Sequence, residues 1–335
     1  MDLNAILFLL VGVLAVGYAI LDGFDLGVGM LSLLARSKEE RNLHVASIGP
    51  VWDGNEVWLL ATADVLFGAF PLVFTTVFSG FYLAFMLLLV ALVARAVAIE
   101  FRLLLPSSLW IHFWDWAFGL GSLASALLLG LAIGNVVRGV PIGPGFAWKG
   151  NFLGLLNPYA ILIGTVSCTL FIMHGAVYLW TKSEGEFSDR LSRIALYACG
   201  VFLLLYGVAI PASVFVSPFL FRKAGSLVCL GFTGLLVTVL ASIPFMIRTR
   251  RKGAAFLASS ATIALMIILV ALSVYPVLVR SSLNPELSLT IYNAASTPDT
   301  LVLMLSIALI GMPIMLGYTF AVYRVFRGPT RAAQY

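Results

Sequence analysis

Two carboxylates stand inside a long apolar stretch near the start of the chain. Asp22 and Asp25 fall within the apolar segment 5–34 and are three residues apart, so they share one face of a helix. An ionised carboxylate at the centre of a membrane helix costs about 2.5–3.5 kcal/mol, so such groups face protein or water and indicate a functional site. The alternative is a helix-packing motif in which the acids accept hydrogen bonds and three glycines admit a neighbouring helix: Gly23, Gly27 and Gly29.

More ionisable residues follow at the same expected depth in the next two apolar segments. The stretch Ile48–Leu60 places Asp53 and Glu56 three residues apart, with Trp52 and Asn55 beside them. The following apolar segment ends with two further candidates, Arg95 and Glu100. Because desolvated carboxyl groups can exchange protons near neutral pH, this group predicts a proton relay. A polar knot that ties three helices together, with the arginine neutralising one acid, fits the same residues.

The composition identifies the class of protein that must position these side chains. Of the 335 residues, 61% are hydrophobic and only 10% are charged, whereas soluble domains carry about 25% charged residues. The chain is therefore an integral membrane protein. Apolar runs near 20 residues, bounded by charge, proline or glycine, predict an all-α fold of nine transmembrane helices. They cover approximately residues 5–34, 48–68, 71–101, 111–137, 157–181, 192–216, 225–247, 254–279 and 300–326.

Basic residues predict the orientation of these helices. The loops after the first, third, fifth and seventh helices, with the C-terminal segment, hold 15 of the 20 Lys and Arg residues. Because basic residues concentrate in cytoplasmic loops, the N-terminus is predicted outside and the C-terminus in the cytoplasm. The whole chain, 1–335, is predicted to form a single transmembrane domain of two four-helix bundles and one peripheral helix.

Other residue types argue against a metal site in this chain. Cys168, Cys199 and Cys229 lie in separate apolar runs without Cys-x-x-Cys spacing, so neither a disulfide framework nor a zinc site is predicted. His174 could ligate a metal or haem, but no second histidine shares its helix, which favours a hydrogen-bonded core histidine. Asp64 has no evident partner and is left unassigned. No phosphate loop or nucleophile motif is present, and nothing indicates nucleic-acid binding.

Two motifs carry a resemblance to a known family. Asp22-Gly-Phe-Asp-Leu-Gly-Val-Gly29 and Gly49-Pro-Val-Trp-Asp-Gly-Asn-Glu-Val-Trp-Leu59 closely resemble the signature stretches of subunit II of the cytochrome bd-type quinol oxidases, the CydB family. A third match is Phe78-Ser-Gly-Phe-Tyr82, followed by Arg95 and Glu100-Phe-Arg102. Length and helix layout agree over essentially the whole chain, whereas the motifs concentrate in residues 1 to about 135. The cyanide-insensitive branch of the family shares these motifs, so the sequence does not separate the two branches.

The resemblance implies one subunit of a respiratory terminal oxidase that oxidises quinol and reduces dioxygen to water. In that family the haems, b and d or b only, belong to subunit I, so this chain is expected to ligate none and to have no catalytic residue of its own. The family's proton-entry residues match Asp53 and Glu100, with Arg95 as a basic neighbour and Glu56 beside them on the path. A supporting polar frame is expected from Asp22, Asp25, Trp52 and Asn55.

The same resemblance sets the expected partners and location. Subunit I is expected to pair with this chain as a pseudo-symmetrical partner in the bacterial cytoplasmic (inner) membrane, where the complex acts on membrane quinol and dioxygen. Small single-helix subunits and a structural quinone are further possibilities. A proton-coupled secondary transporter with an inner-leaflet acid cluster is the alternative, and a purely structural subunit is a third. The transporter is disfavoured because the polar residues crowd the first three helices, whereas the later helices are nearly uncharged.

Overall fold

The computed structural model describes residues 2–330, which are mostly helical. Two short strands, β1 (Val277–Val279) and β2 (Leu289–Thr290), form an antiparallel hairpin in which Val277 lies opposite Thr290. The α-helices are α1 (Leu3–Ser32), α2 (Lys38–Ile48), α3 (Trp52–Ala69), α4 (Pro71–Gly80), α5 (Tyr82–Phe101), α6 (Ser108–Arg138), α7 (Phe152–Leu155), α8 (Pro158–Lys182), α9 (Gly185–Val216), α10 (Leu227–Arg248), α11 (Lys252–Val274) and α12 (Pro298–Val325).

The membrane character of the fold follows from these helices. Within residues 2–330, eight helices are long and apolar enough to cross a membrane, and the number rises to nine if the bent pair α3 and α4 is one span. That pair turns by 118° at Phe70. The predicted class, a helical multi-pass membrane protein, is therefore confirmed.

Two helices begin where the sequence supplies a capping side chain followed by proline. The Asn157 side chain accepts a hydrogen bond from the Ala160 backbone N–H at 3.0 Å, and Pro158 occupies the first position of α8. Thr297 and Pro298 start α12 in the same way. A capping oxygen satisfies an otherwise unpaired N–H, and proline has no N–H to lose. These signals explain why both helices begin within two residues of the predicted positions.

The second and third predicted spans need correction. The span predicted at 48–68 begins at Trp52, because residues 38–48 form the separate short helix α2. The span predicted at 71–101 is interrupted at Phe81 between α4 and α5. The interruption follows Ser79 and Gly80, a residue pair at which helices commonly kink. Because Gly80 has no Cβ, the Trp148 ring packs directly against its backbone.

Two later boundaries also differ from the prediction. The span predicted at 254–279 ends at Val274, since Pro276 has no N–H and disfavours a helical residue before it, and the following residues form β1. The span predicted at 192–216 begins at Gly185. Glu186 lies in the first turn of this longer helix, where the helix dipole favours an acid.

One basic residue used to predict the orientation lies inside a helix and not in a loop. Arg95 is inside α5 and fully buried, so it is no loop residue and does not count towards the charge asymmetry. Arg331, another of the 15 basic residues, lies outside the described residues. Removing Arg95 leaves 14 basic residues on one side against five on the other, and the predicted direction is unchanged.

Helix α1 lies at the centre of the fold. It packs against α3, α6, α8, α11 and α12, and its segment Asp22–Ser32 is buried throughout. The glycines of the first motif make this packing possible, because a Cβ at Gly27 would overlap the Phe171 carbonyl oxygen and one at Gly29 would overlap the Ser122 hydroxyl. The motif is therefore a close-packing surface for α6 and α8 as well as a source of carboxylates.

Candidate functional site

A buried triad of charged side chains joins α1, α3 and α5. Arg95 Nη2 donates to Asp22 Oδ1 at 2.7 Å and to Glu56 Oε1 at 2.5 Å. The side chains of Arg95 and Asp22 are fully buried, whereas that of Glu56 keeps 25% of its surface exposed. Arg95 thus contacts two acids, an arrangement that the polar-knot alternative describes with one acid. We call this set the buried triad.

A second polar chain runs beside the buried triad. Asn55 Nδ2 donates to Asp25 Oδ2 at 2.8 Å and to the Leu21 carbonyl oxygen at 3.3 Å. The Tyr323 hydroxyl, from α12, donates to Asn55 Oδ1 at 2.9 Å. The amide of Asn55 therefore connects the central helix to the last helix of the chain.

Acids outnumber bases in this buried region. Asp22, Asp25 and Glu56 face the single guanidinium of Arg95. Four charged-group atoms have no hydrogen-bond partner among the described residues: Asp22 Oδ2, Asp25 Oδ1, Arg95 Nε and Arg95 Nη1. Polar atoms buried without partners are costly, so the described residues leave the hydrogen-bonding capacity of this cluster incompletely satisfied. Residues 2–330 contain no group of three or more His, Cys, Asp or Glu side chains placed to hold a metal ion.

The two residues predicted to admit protons lie outside the buried triad. Asp53 is in the first turn of α3 and Glu100 is near the end of α5, and both are exposed. Neither carboxyl forms a hydrogen bond or ion pair with the described residues. Trp52, predicted in the supporting frame, packs against the main apolar core. The structure therefore brings together Asp22 and Glu56 around Arg95 but leaves the other two acids on the surface.

Asp53 belongs to an outward-facing row of side chains on α3. Asp53, Val57, Leu60, Asp64 and Phe67 are all exposed and follow one another at helical spacing, so they form one face of the helix. We call this row the α3 stripe. Asp64, which sequence reasoning left unassigned, lies in its middle and makes no hydrogen bond or ion pair with the described residues. The stripe thus presents two carboxyl groups on the outer surface of a membrane helix.

A further ionic contact that the sequence did not reveal lies near Glu100. Arg102 is buried and donates to Asp115 Oδ1 at 2.5 Å and to Asn42 Oδ1 at 2.8 Å. Arg41 lies 3.6 Å from the other oxygen of Asp115. These contacts hold α2, α5 and α6 together at one end of the bundle. Asp115 is therefore a structural ion-pair partner.

The histidines are engaged in hydrogen bonds. His174 Nδ1 lies 2.8 Å from Ser259 Oγ and Nε2 lies 3.1 Å from the Ile20 carbonyl oxygen, which confirms a core histidine with both ring nitrogens occupied. His44 is buried in α2, outside the membrane-spanning helices, and its Nδ1 pairs with the Glu40 carbonyl oxygen at 2.7 Å. Burial lowers the pKa of His44 to about 4. His112 is exposed and pairs with its own helix through Ser108.

The sequence and the fold are shared with known proteins. The family described as "Cytochrome bd terminal oxidase subunit II" matches residues 3–326. The chain is 35% identical to "Cytochrome bd-I ubiquinol oxidase subunit 2" of Escherichia coli (strain K12), over 95% of this chain and 92% of that protein. It is 33% identical to "Cytochrome bd ubiquinol oxidase subunit 2" of Bacillus subtilis (strain 168), over 97% and 96%. A chain in the structure of bd oxidase from Geobacillus thermodenitrificans has the same fold, with a TM-score of 0.78 at 19% identity, covering 97% of this chain and 99% of that chain.

Proposed function

Because the chain belongs to the cytochrome bd terminal oxidase subunit II family, we propose that it scaffolds a haem-bearing subunit I and supplies part of its proton-uptake path. The complex is a quinol oxidase, in which protons drawn from the cytoplasm are consumed when dioxygen is reduced to water. This family membership removes the support for a proton-coupled transporter.

The haems, b and d or b only, are assigned to the partner subunit. The histidines of this chain do not fit haem ligation, because both ring nitrogens of the buried His174 are already hydrogen-bonded. His44 lies in the short helix α2, and His112 lies in the opening turns of α6. A structural quinone and small single-helix subunits stay predictions of the family resemblance.

The proposed placement in the membrane has nine spans, with the N-terminus outside and the C-terminus in the cytoplasm of a bacterial inner membrane. The split of basic residues supports this orientation. We assign the helices to two four-helix bundles within a single transmembrane domain, which meet where α8 packs against α6 and α1. The first holds α1, α3, α5 and α6, the second holds α8, α9, α10 and α11, and α12 packs at the periphery against α3 and α1.

The single observation that carries the proposal is the α3 stripe. A carboxylate facing lipid in the middle of a span costs about 2.5–3.5 kcal/mol, so the part of the stripe around Asp64 needs a cover of protein or water. The neighbouring helix α12 extends this surface. Leu301 is the one buried residue of α12, and most of the other large apolar side chains of this helix are exposed. A second membrane subunit supplies such a cover, and subunit I is the partner that the family provides.

The proton path begins at the exposed acids and leads towards the buried triad. Asp53 lies at the end of the stripe that we place in the cytoplasmic leaflet, three residues before Glu56. Glu56 links the two environments, because its carboxyl group is partly exposed and also contacts Arg95. Glu100 lies five residues beyond Arg95 on α5 and provides a second exposed acid at the same end. Protons enter between this chain and subunit I at these residues.

Co-purification tests the scaffold role. The tagged chain, expressed from its own operon, is expected to emerge with a haem-absorbing partner, and its recovery alone without haem absorption would contradict the proposal. Leu60→Trp enlarges a side chain on the α3 stripe that is 63% exposed, and we expect it to weaken recovery of the partner. Leu204→Trp is the matched control on α9, at a side chain that is 67% exposed. Equal recovery with both variants would place the partner elsewhere.

A further inference from the structure

A groove of about 430 Å³ lies between α9 and α10, helices that take no part in the proposed contact with subunit I. Arg193 from α9 and Arg248 from the end of α10 line it at one end. Beyond them the lining is largely apolar and reaches Leu203, about 15 Å further along α9 at 1.5 Å per residue. The groove is therefore basic at its mouth and apolar along its length.

The two arginines at the mouth lack acidic partners in the described part of the chain. Asp189, one turn before Arg193, already accepts from Arg250 Nη1 at 2.5 Å. Glu40 is likewise bound to Arg190 at 2.6 Å. Guanidinium groups bind phosphate oxygens in bidentate geometry, so an unpaired pair of them is complementary to a phosphodiester.

The walls of the groove fit a hydrocarbon chain. Gly200 leaves the floor open, because a Cβ there would have nothing within 4 Å. Leu203 and Pro244 supply apolar surface along the two helices. Tyr197 lines the groove beside the arginines and is 76% exposed, as an aromatic side chain with a polar tip is at a membrane interface. A soluble anion would use the arginines but none of this apolar surface.

We propose that the α9–α10 groove binds one anionic phospholipid, whose phosphate lies between Arg193 and Arg248 and whose acyl chain runs past Gly200 to Leu203. Basic pockets between membrane helices on the cytoplasmic side recognise anionic headgroups in this way. The site lies in the cytoplasmic leaflet under the proposed orientation. It needs no part of the proposed proton path, so the two proposals can fail separately.

Native mass spectrometry of the purified complex in detergent tests the site. The probes are phosphatidylglycerol and phosphatidylcholine with identical acyl chains, added at rising concentration. We expect R193Q/R248Q to weaken phosphatidylglycerol binding about 30-fold, which corresponds to about 2 kcal/mol at 1.4 kcal/mol per tenfold change. The matched control R251Q/R327Q removes two exposed basic residues outside the groove lining and is expected to bind as the wild type does.

A second variant separates a docked lipid from a bound phosphate ion. Gly200→Phe fills the groove and keeps both arginines, so it is expected to abolish phosphatidylglycerol binding while the complex stays monodisperse. The proposal is overturned if R193Q/R248Q binds like the wild type, if the control loses as much affinity, or if wild type binds both lipids equally. Displacement of the lipid by millimolar inorganic phosphate, with Gly200→Phe without effect, would identify a phosphate site instead.

Discussion

Replacement of Arg95 by glutamine is expected to be among the most destabilising single changes in this chain. Arg95 is fully buried and is the cation that faces both Asp22 and Glu56. Glutamine retains hydrogen-bonding groups but no charge, so the variant leaves a fully buried carboxylate without a counter-ion. Removing one partner of a buried ion pair typically costs about 3–5 kcal/mol, far more than the pair contributes when both partners are replaced together.

The two carboxylates contribute unequally to this loss. Asp22 is fully buried, so its charge has no solvent to compensate for the missing guanidinium. The Glu56 side chain retains 25% exposure and is partly solvated, so its share is smaller. We therefore expect Arg95→Gln to cost about 3–5 kcal/mol and D22N/R95Q to recover most of that loss.

The measurement is the free energy of unfolding of the purified complex, followed by tryptophan fluorescence in mixed micelles titrated with SDS. Arg251→Gln is the control, because this exposed arginine should change stability by no more than about 0.5 kcal/mol. A cost below about 1 kcal/mol for Arg95→Gln, or a double variant as unstable as the single one, would refute the reasoning.

Three further predictions follow from other parts of the fold. Gly27→Ala should destabilise the chain by about 1–3 kcal/mol, because the added Cβ would meet the Phe171 backbone. Gly12→Ala on the same helix would place its Cβ in open space and should stabilise the chain by up to about 1 kcal/mol. Thermal unfolding of the two variants measures the difference. Because burial lowers the pKa of His44 to about 4, the unfolded chain binds the extra proton below its ordinary pKa of about 6.5. The contribution of His44 to the free energy of unfolding is therefore complete above about pH 6.5 and falls by up to about 3 kcal/mol as the pH drops to 4. His44→Gln should reduce this pH dependence in unfolding curves recorded across that range. His112→Gln, at an exposed histidine, should leave it unchanged. Tyr323→Phe removes the donor to Asn55 and should cost about 1 kcal/mol in the same assay, and no loss would show that this hydrogen bond is dispensable.

Apolar run length predicted most of the fold, because a membrane span requires about 20 apolar residues wherever it packs. Short elements escaped this rule. Helix α2 is too short and too polar to be recognised as a span. The break at Phe81 lies beside Gly80, against which Trp148 packs from a distant loop. The hairpin of β1 and β2 consists of three and two residues in a loop between spans.

The sequence predicted which ionisable residues lie near one another along a helix. It did not predict the direction in which each side chain points, or the contacts between residues far apart in sequence. The three-residue spacing of Asp22 and Asp25 predicted that they share one face of a helix. The positive charge of Arg95 indicated that it pairs with an acid. At about 100° per residue, however, Asp53 and Glu56 point about 60° apart, and this difference turns one outward and the other towards Arg95. Tyr323 reaches Asn55 across 268 residues of sequence, and no local pattern signals that contact.

The most direct test of the proposed function is the rate of dioxygen reduction by the purified oxidase carrying Asp53→Asn. Asp299→Asn is the matched control, because Asp299 is also an exposed acid in the first turn of a helix that packs against α3. We predict that Asp53→Asn and Glu100→Gln slow dioxygen reduction while haem content and assembly stay unchanged, and that the control keeps its full rate. Full activity in both Asp53→Asn and Glu100→Gln would contradict a proton path through these residues.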